Sequence, residues 1–347
     1  MAASGRTDLP VRSTEIPMRQ AVQRRLCAVA GHGHPPASTP RGWPLVVQTS
    51  CQPDGWADGR AADDAFPSEK RGLARKWWLR VTGSDLTPDD GRDRNRPHMA
   101  FLLAHEVESP RACSYLPERE ASLENLVLED VTPEEYEHLL VRGWRRFGLV
   151  YFRPACVGCN ACVSLRIPVE GFRPNRSQRR ARAACAHLRV EVGPPRVDDA
   201  RLALYRQWHS EREAVREWEP SPITAREYSL QFSYPHPSAR EVAWYDDGAE
   251  GGPRLVGVGI CDETPRAWSA VYFFYDPAYA HLSLGTANVL HQVELAKARG
   301  IPHVYLGYRV LACASLRYKG AFRPHELLEE RPALDAAPQW VAPPEEA

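Results

Sequence analysis

Apolar periodicity in this chain begins abruptly at Met99, and that break decides how much of it can pack. Upstream, stretches such as GHGHPPASTPRGWP (31–44) and DLTPDDGRDRNRP (85–97) carry Pro, Gly, Asp and Arg with no sustained helical or strand repeat. Such segments hold too little apolar surface to offset the entropy of ordering them. Trp77, Trp78 and Leu79 suit a short hydrophobic turn rather than a domain. Residues 1–98 are therefore expected to be a disordered extension, consistent with a start site chosen too far upstream.

From Met99 onward the pattern sharpens. Thr132-Pro133-Glu134-Glu135 has the order of a capping box with proline at the first helical position. Tyr136, Leu139, Leu140 and Trp144 follow at helical spacing, and Gly143 weakens the last turn. Phe147–Phe152 and Ser164–Val169 read as strands, and Asn175 to about Ala186 as an Arg/Ala-rich helix. GPPRVDD (193–199) breaks the pattern and suggests a boundary near 190–197. Leu202, Tyr205, Trp208 and His209 mark another helix, and Thr224 caps one running to about Phe232. Strands are expected at Ala239–Asp246, Arg254–Asp262 and Ala267–Tyr275. A helix from Thr286 to Arg299, with Val289, Leu290, Val293 and Ala296 on one face, stops at Gly300 before a strand at His303–Leu306. The fold class is α+β. A cysteine-bearing domain over residues 99–195 precedes a domain over 196–332 whose element order resembles the N-acetyltransferase superfamily. Residues 333–347 are expected as a disordered tail.

Lys+Arg and Asp+Glu both count 44, so any nucleic-acid contact must come from local patches. The apolar run around Trp268–Phe274 falls far short of the ~20 residues of a membrane helix. No apolar stretch marks a secretory signal in the first thirty residues, and a cytoplasmic location with no membrane partner is expected. Nine cysteines in such a chain are expected as thiols, metal ligands or catalytic groups rather than disulfides. Cys156, Cys159 and Cys162 follow the CxxCxxC spacing, and Cys113 would complete four thiolates, suited to zinc or an iron–sulfur cluster. Reduced cysteines packed beside a turn are the alternative. Cys185, Cys261 and Cys313 are scattered singly and expected to be buried.

From Phe172 to Arg189 the chain carries six arginines and no carboxylate, so no paired charges cover that face. Arg176, Arg179, Arg180 and Arg182, with Arg145 and Arg146 upstream, are candidates for phosphate-backbone contact. The turn Tyr279–Thr286 keeps one glycine, Gly285, of the glycine-rich turn by which coenzyme-A acetyltransferases hold pyrophosphate, so no coenzyme A is expected.

Seven blocks in order, CSYLP (113–117), GWRRFG (143–148), FRPACVGCNAC (152–162), RIPVEGF with RPNRSQRR (166–180), DPAYAHLSLG (276–285), YLGYRV (305–310) and RYKGAFRPHELL (317–328), resemble the arginyl-tRNA–protein transferases. They are most similar to the bacterial branch that transfers leucine to N-terminal Asp or Glu. The chain departs from that branch at Ala314, Ser315 and Leu316, where a Lys-Met pair is usual, although Arg317 adds a nearby charge. The resemblance implies an aminoacyltransferase of the N-degron pathway, using charged tRNA as donor and marking proteins with acidic N-termini for degradation. Arginine as the donated residue is the close alternative; an acidic pocket would favour arginine and an apolar one leucine. In eukaryotic relatives the cysteine domain is associated with an iron–sulfur cluster. Asp276, Lys319 and Tyr308 are the candidate catalytic residues, Asp276 to receive a hydrogen bond from the attacking amine or position it. Lys319 and Arg317 are candidates to bind the acceptor's acidic side chain or the tRNA's terminal phosphates, and Tyr308 and Tyr318 to line the pocket. Tyr305 suits core packing better. No side chain offers itself as a nucleophile, so direct transfer by a monomer is expected. A metal-stabilised RNA-binding protein without catalysis is the reading from a different class.

Overall fold

The computed structural model describes residues 100–216 and 222–343. The extension expected over residues 1–98 lies outside the described residues. The described chain runs β1 (Phe101–Val107), β2 (Arg111–Ala112), β3 (Glu120–Ala121), β4 (Leu123–Glu129), α1 (Pro133–Leu140), β5 (Arg145–Phe147), β6 (Val150–Pro154), β7 (Val163–Pro168), α2 (Arg176–Ala184) and β8 (Arg189–Gly193). It continues through α3 (Asp199–Arg216), α4 (Ala225–Tyr228), β9 (Ala239–Asp246), β10 (Arg254–Glu263), β11 (Ala267–Tyr275), α5 (Leu284–Ala298), β12 (His303–Arg309), α6 (Ala314–Arg317), β13 (Glu326–Leu328) and β14 (Trp340–Val341). The class is mixed α/β.

Local signals explain several of these boundaries. Thr132 accepts from the Glu135 N–H at 3.2 Å while the Glu135 carboxylate accepts from the Thr132 N–H at 2.9 Å, closing a capping box at α1. Asn175 and Gln178 do the same for α2, and Thr224 and Glu227 for α4. Losing such a cap costs about 1 kcal/mol. The helix expected from Thr224 to Phe232 changes pitch: α4 is one turn, followed by a π-helical turn over Ser229–Ser233 that buries Phe232. The single strand expected over Phe147–Phe152 is instead the hairpin β5–β6. Gly148, at φ +54°, lets the chain reverse between Phe147 and Val150.

One sheet has the order β1-β4-β6-β5 and a larger one β14-β13-β7-β12-β11-β10-β9-β8. The boundary expected near 190–197 does not follow these sheets. β7 precedes it in sequence yet pairs antiparallel with both β12 and β13, so the chain from Val163 onward is built into the larger sheet. The disordered tail expected over residues 333–347 is corrected through residue 343. Trp340 pairs with Leu328, donates its indole N–H to the Val141 carbonyl at 3.0 Å, and takes the Arg166 guanidinium over its ring at 4.4 Å. An aromatic residue with those contacts available is more stable docked than solvated.

The larger sheet is covered on both faces. α5 packs one face with Leu284, Leu290, Val293 and Ala296, against Val304, Trp268 and Val256. Glycines on β10 permit the approach: a Cβ at Gly259 would sit 2.8 Å from Asn288 Oδ1. The buried amides of α5 are consumed by indoles, Trp244 Nε1 donating to Asn288 at 3.1 Å and Trp268 Nε1 to Gln292 at 2.9 Å. The opposite face packs Tyr205 and Trp208 of α3, Tyr228 of α4, and Phe147 and Phe152 of the smaller sheet against Val258, Tyr272 and Phe274. Among the described residues no helix is long and apolar enough to cross a membrane.

Candidate active site

Among the described residues β11 and β12 form the one parallel pair of the larger sheet, and they stay paired only from Ala267–Ser269 to His303–Tyr305. Beyond Tyr305, β12 bulges against β7, with Gly307 in the bulge at φ +77°. Glycine takes that backbone without strain, so β12 turns away and the two strands part. A cavity of about 520 Å³ fills the opening. Ala270–Phe273 and Tyr275 of β11 form one wall, and Leu306–Tyr308 of β12 the other. The hairpin adds Arg145, Phe147 and Phe152, α3 adds Trp208 and Arg212, and the first turns of α5 add Gly285, Asn288 and Val289. Ala314, Ser315, Leu316, Tyr318 and Lys319 complete the lining after β12, with Tyr115 from the loop between β2 and β3. The surface is aromatic and aliphatic, its cations are Arg145, Arg212 and Lys319, and no Asp or Glu is among the lining residues.

Of the site candidates singled out from sequence, Lys319, Tyr308, Tyr318 and Arg145 line this cavity. Lys319 is buried and donates from Nζ to the Tyr308 carbonyl at 3.1 Å. The Tyr308 hydroxyl donates to the Gly143 carbonyl at 2.8 Å, with the Phe152 carbonyl beside it at 3.3 Å, and burial pushes the phenol well above its ordinary range. Asp276 is a correction. It is fully buried and caps the short turn Pro277–Leu282 through the Ala278 N–H at 3.0 Å. Its carboxylate also accepts from Gln207 at 3.1 Å and pairs with Arg254. With its oxygens taken and its place outside the lining, it holds the loop between β11 and α5 rather than meeting an amine. Arg317 is exposed on α6, beside the lining residues Leu316 and Tyr318. Tyr305 lies in the core beneath Trp340, its hydroxyl accepting from Arg166 at 3.2 Å.

The arginines separate into two groups. Arg176, Arg179, Arg180 and Arg182 are exposed on α2, which packs beside α5. Arg182 pairs with Glu294 at 2.6 Å, while Arg176 and Arg180 make no ion pair among the described residues. Arg145 and Arg146, expected on the same phosphate-binding surface, are buried instead, and that assignment is corrected. Arg146 forms an ion pair with Asp262 of β10 and donates to the Gly148 carbonyl at 3.1 Å, clamping the hairpin to the larger sheet. Arg145 reaches into the cavity and donates to the Ala270 carbonyl. An Arg-Arg pair on a two-residue strand repeat sends its side chains to opposite faces, and here both faces are covered.

The cysteines of the expected cluster share one neighbourhood beside the cavity. Cys113 and Cys162 pack with Tyr115, Leu116, Cys313 and Leu316. The Cys162 thiol is pushed up to about 12 by burial and by Cys156, Cys113 and Cys159 together. Cys159 is lowered, chiefly by a hydrogen bond from the Ala161 backbone. Arg331 donates to the carbonyls of Cys156 and Cys159. Thiolates suit a soft ion, but among the described residues no three Cys, His, Asp or Glu side chains converge closely enough to hold one. Through Tyr115 and Leu316, which line the cavity, Cys113 and Cys162 pack against its wall. Cys185, Cys261 and Cys313 are buried as expected.

Arg212 and Trp208 were missed as site residues. They stand four apart on α3, with the guanidinium 3.7 Å above the indole, and that spacing was the available signal. Tyr115 fell within the CSYLP block without being singled out.

Residues 111–180 match the family model for the arginine-tRNA-protein transferase N terminus, and residues 200–329 the model for its C terminus. The aspartate/glutamate leucyltransferase of Helicobacter hepaticus is 33% identical over 239 residues, 69% of this chain and 97% of that protein. That of Chromohalobacter salexigens is 38% identical, covering 64% of this chain and 88% of the relative. Among solved structures FemX is similar over 54% of this chain and 63% of its own, at 8% identity and a TM-score of 0.34, too loose to carry an argument. The two matched halves in order, together with near-complete coverage of relatives a third identical, mean that this chain belongs to the arginine-tRNA-protein transferase family of aminoacyltransferases.

Proposed function

We propose that this enzyme transfers leucine from leucyl-tRNA to the α-amino group of proteins that begin with Asp or Glu, marking them for degradation in the cytoplasm. The observation that carries the choice of leucine is the lining of the cavity. A leucyl side chain would find aromatic and aliphatic walls there. An arginyl side chain would bring a guanidinium among Arg145, Arg212 and Lys319 with no carboxylate to meet it. The same cations favour an acceptor that arrives with an acidic side chain.

The reaction needs little beyond this. The acceptor's amine, with an ordinary pKa of about 8, attacks the ester carbonyl once unprotonated. The C–N bond forms, the bond from the carbonyl carbon to the ribose oxygen breaks, and the proton lost by the amine goes to that oxygen. Held together in a confined cavity, ester and amine react as neighbours, so no covalent enzyme intermediate is required. We place the tRNA backbone along the exposed arginines of α2, which lie beside α5 and so beside the cavity wall. The strand splay opening onto a crossover helix suits an acetyltransferase-like acyl site working without coenzyme A. Purified full-length chain given labelled leucyl-tRNA or arginyl-tRNA, and peptides beginning with Asp, Glu, Lys or Ala, tests the reading. Label from leucyl-tRNA on the Asp and Glu peptides alone is expected; label on the Lys peptide would overturn the acceptor assignment.

A further inference from the structure

We propose that Arg145 is the residue that reads the acidic side chain of the acceptor; this rests on the function proposed above and assigns its specificity to one guanidinium. Arg145 springs from β5 and enters the split between β11 and β12. Its Nη2 donates to the carbonyl of Ala270, the residue just past Ser269, where the β11–β12 ladder ends. The side chain therefore occupies the place of the next rung and closes the root of the cavity. The guanidinium packs against Gly307, where an added Cβ would make ordinary contact with it at 3.6 Å, so the positive φ of the strand rather than space for the arginine calls for glycine there.

The other end of this fork is unmet. Nη1 is buried without a hydrogen-bond partner, in a side chain only 7% exposed that lines the cavity. A buried cation with an unpaired N–H pair is costly to keep. None of the residues lining the cavity is Asp or Glu, so the compensating anion must arrive with a substrate. Of the two substrates, the aminoacyl ester brings no anion at its reacting end, only an α-amino group. The acceptor brings a carboxylate on a stem of one or two methylenes, short enough to reach a root between two strands. A planar fork matched to a carboxylate explains the use of arginine here. Of the other cations, Lys319 donates to the Tyr308 carbonyl, and Arg212, whose Nε is also unmet, is stacked over the Trp208 ring on α3 rather than set at the end of the β11–β12 ladder. With its carboxylate on Arg145, the acceptor's amine points back toward the mouth, where the ester enters.

The test compares wild-type full-length chain with Arg145→Gln and Arg145→Lys. Each receives leucyl-tRNA and peptides that begin with Asp, Glu, Asn or Gln and are otherwise identical. The wild type is expected to prefer Asp over Asn. In R145Q that preference in kcat/KM is expected to fall by about 100-fold or more, because a site built to pair a charge loses its discrimination with the pairing group. Binding of leucyl-tRNA is expected to be unchanged in the same preparations. Equal loss on all four peptides would instead assign Arg145 to the transition-state oxygen, and loss of leucyl-tRNA binding would assign it to the donor; either overturns the proposal, as does an unchanged Asp-to-Asn ratio. If R145Q does not fold by thermal unfolding, R145K, which keeps the charge and loses the fork, is read against the same ratios. A wild-type chain inert with leucyl-tRNA would count against the proposed function alone. Calorimetric titration of the Asp and Asn peptides into wild type and R145K then decides Arg145, and equal affinities for the two peptides would overturn it.

Discussion

Replacing Asp262 with alanine would leave Arg146 charged and uncompensated between the two sheets. Asp262 is 1% exposed and Arg146 6%, and they form an ion pair. Burial opposes the Arg146 cation, while Asp262 holds it, leaving its pKa raised overall. Removing one partner of such a pair typically costs about 3–5 kcal/mol, because the other charge stays buried. For a chain of this size that lowers Tm by roughly 6–20 °C. The double variant Arg146→Met/Asp262→Leu removes both charges and is expected to recover most of the loss, since a packed apolar pair of similar volume is often neutral. Urea unfolding followed by tryptophan fluorescence, with tRNA binding measured on the same samples, checks both. If Asp262→Ala cost less than about 1 kcal/mol, the clamp between hairpin and sheet would be wrong. If Arg146→Met weakened tRNA binding without lowering Tm, Arg146 would return to the nucleic-acid surface from which its burial removed it.

Three further outcomes follow from the same interactions. Tyr308→Phe strips the donor from the Gly143 and Phe152 carbonyls and is expected to cost about 1–3 kcal/mol of stability, while transfer at saturating substrate stays within a few-fold of wild type; a collapse of kcat in folded protein would make Tyr308 a catalytic acid. Arg176→Glu/Arg180→Glu is expected to weaken leucyl-tRNA binding and to lower the slope of log K against log salt by about one for each phosphate left without its arginine, with kcat at saturation unchanged. His236, bonded to the Tyr151 hydroxyl at 2.9 Å, is held down to about 2 by burial and then by Arg146. It stays neutral in the native state, so below its unfolded pKa of about 6.5 the unfolded chain takes a proton that the native chain refuses. Stability falls with pH there, by about 1.5 kcal/mol between pH 6.5 and 5 from this group, and His236→Gln flattens that part of the urea-midpoint profile.

Where a segment's fate is decided by its neighbours in sequence, it was legible. The Thr132 box, the helix starts at Asn175 and Thr224, and the strands Ala239–Asp246 and Ala267–Tyr275 fall where capping and strand chemistry put them. Pairings between distant segments were not legible. Nothing in Val163–Pro168 says that it lies between β12 and β13, because periodicity fixes which face a strand buries and not which partner it takes. The same blindness misplaced the site arginines. GWRRFG and RPNRSQRR both read as charge, yet the hairpin buries the first pair between two sheets while α2 exposes the second. Asp276 and the tail at Trp340 failed for the same reason, their partners lying far along the chain at Gln207, Arg254, Leu328 and Val141.

The central claim is that a cavity with aromatic and aliphatic walls, three cations and no carboxylate, set between two splayed strands, selects leucine over arginine. Full-length chain offered equal amounts of leucyl-tRNA and arginyl-tRNA with one Asp-leading peptide, its product read by mass spectrometry, tests that directly. Peptide extended by leucine with little or no arginine is the expected result; peptide extended mainly by arginine would contradict the account.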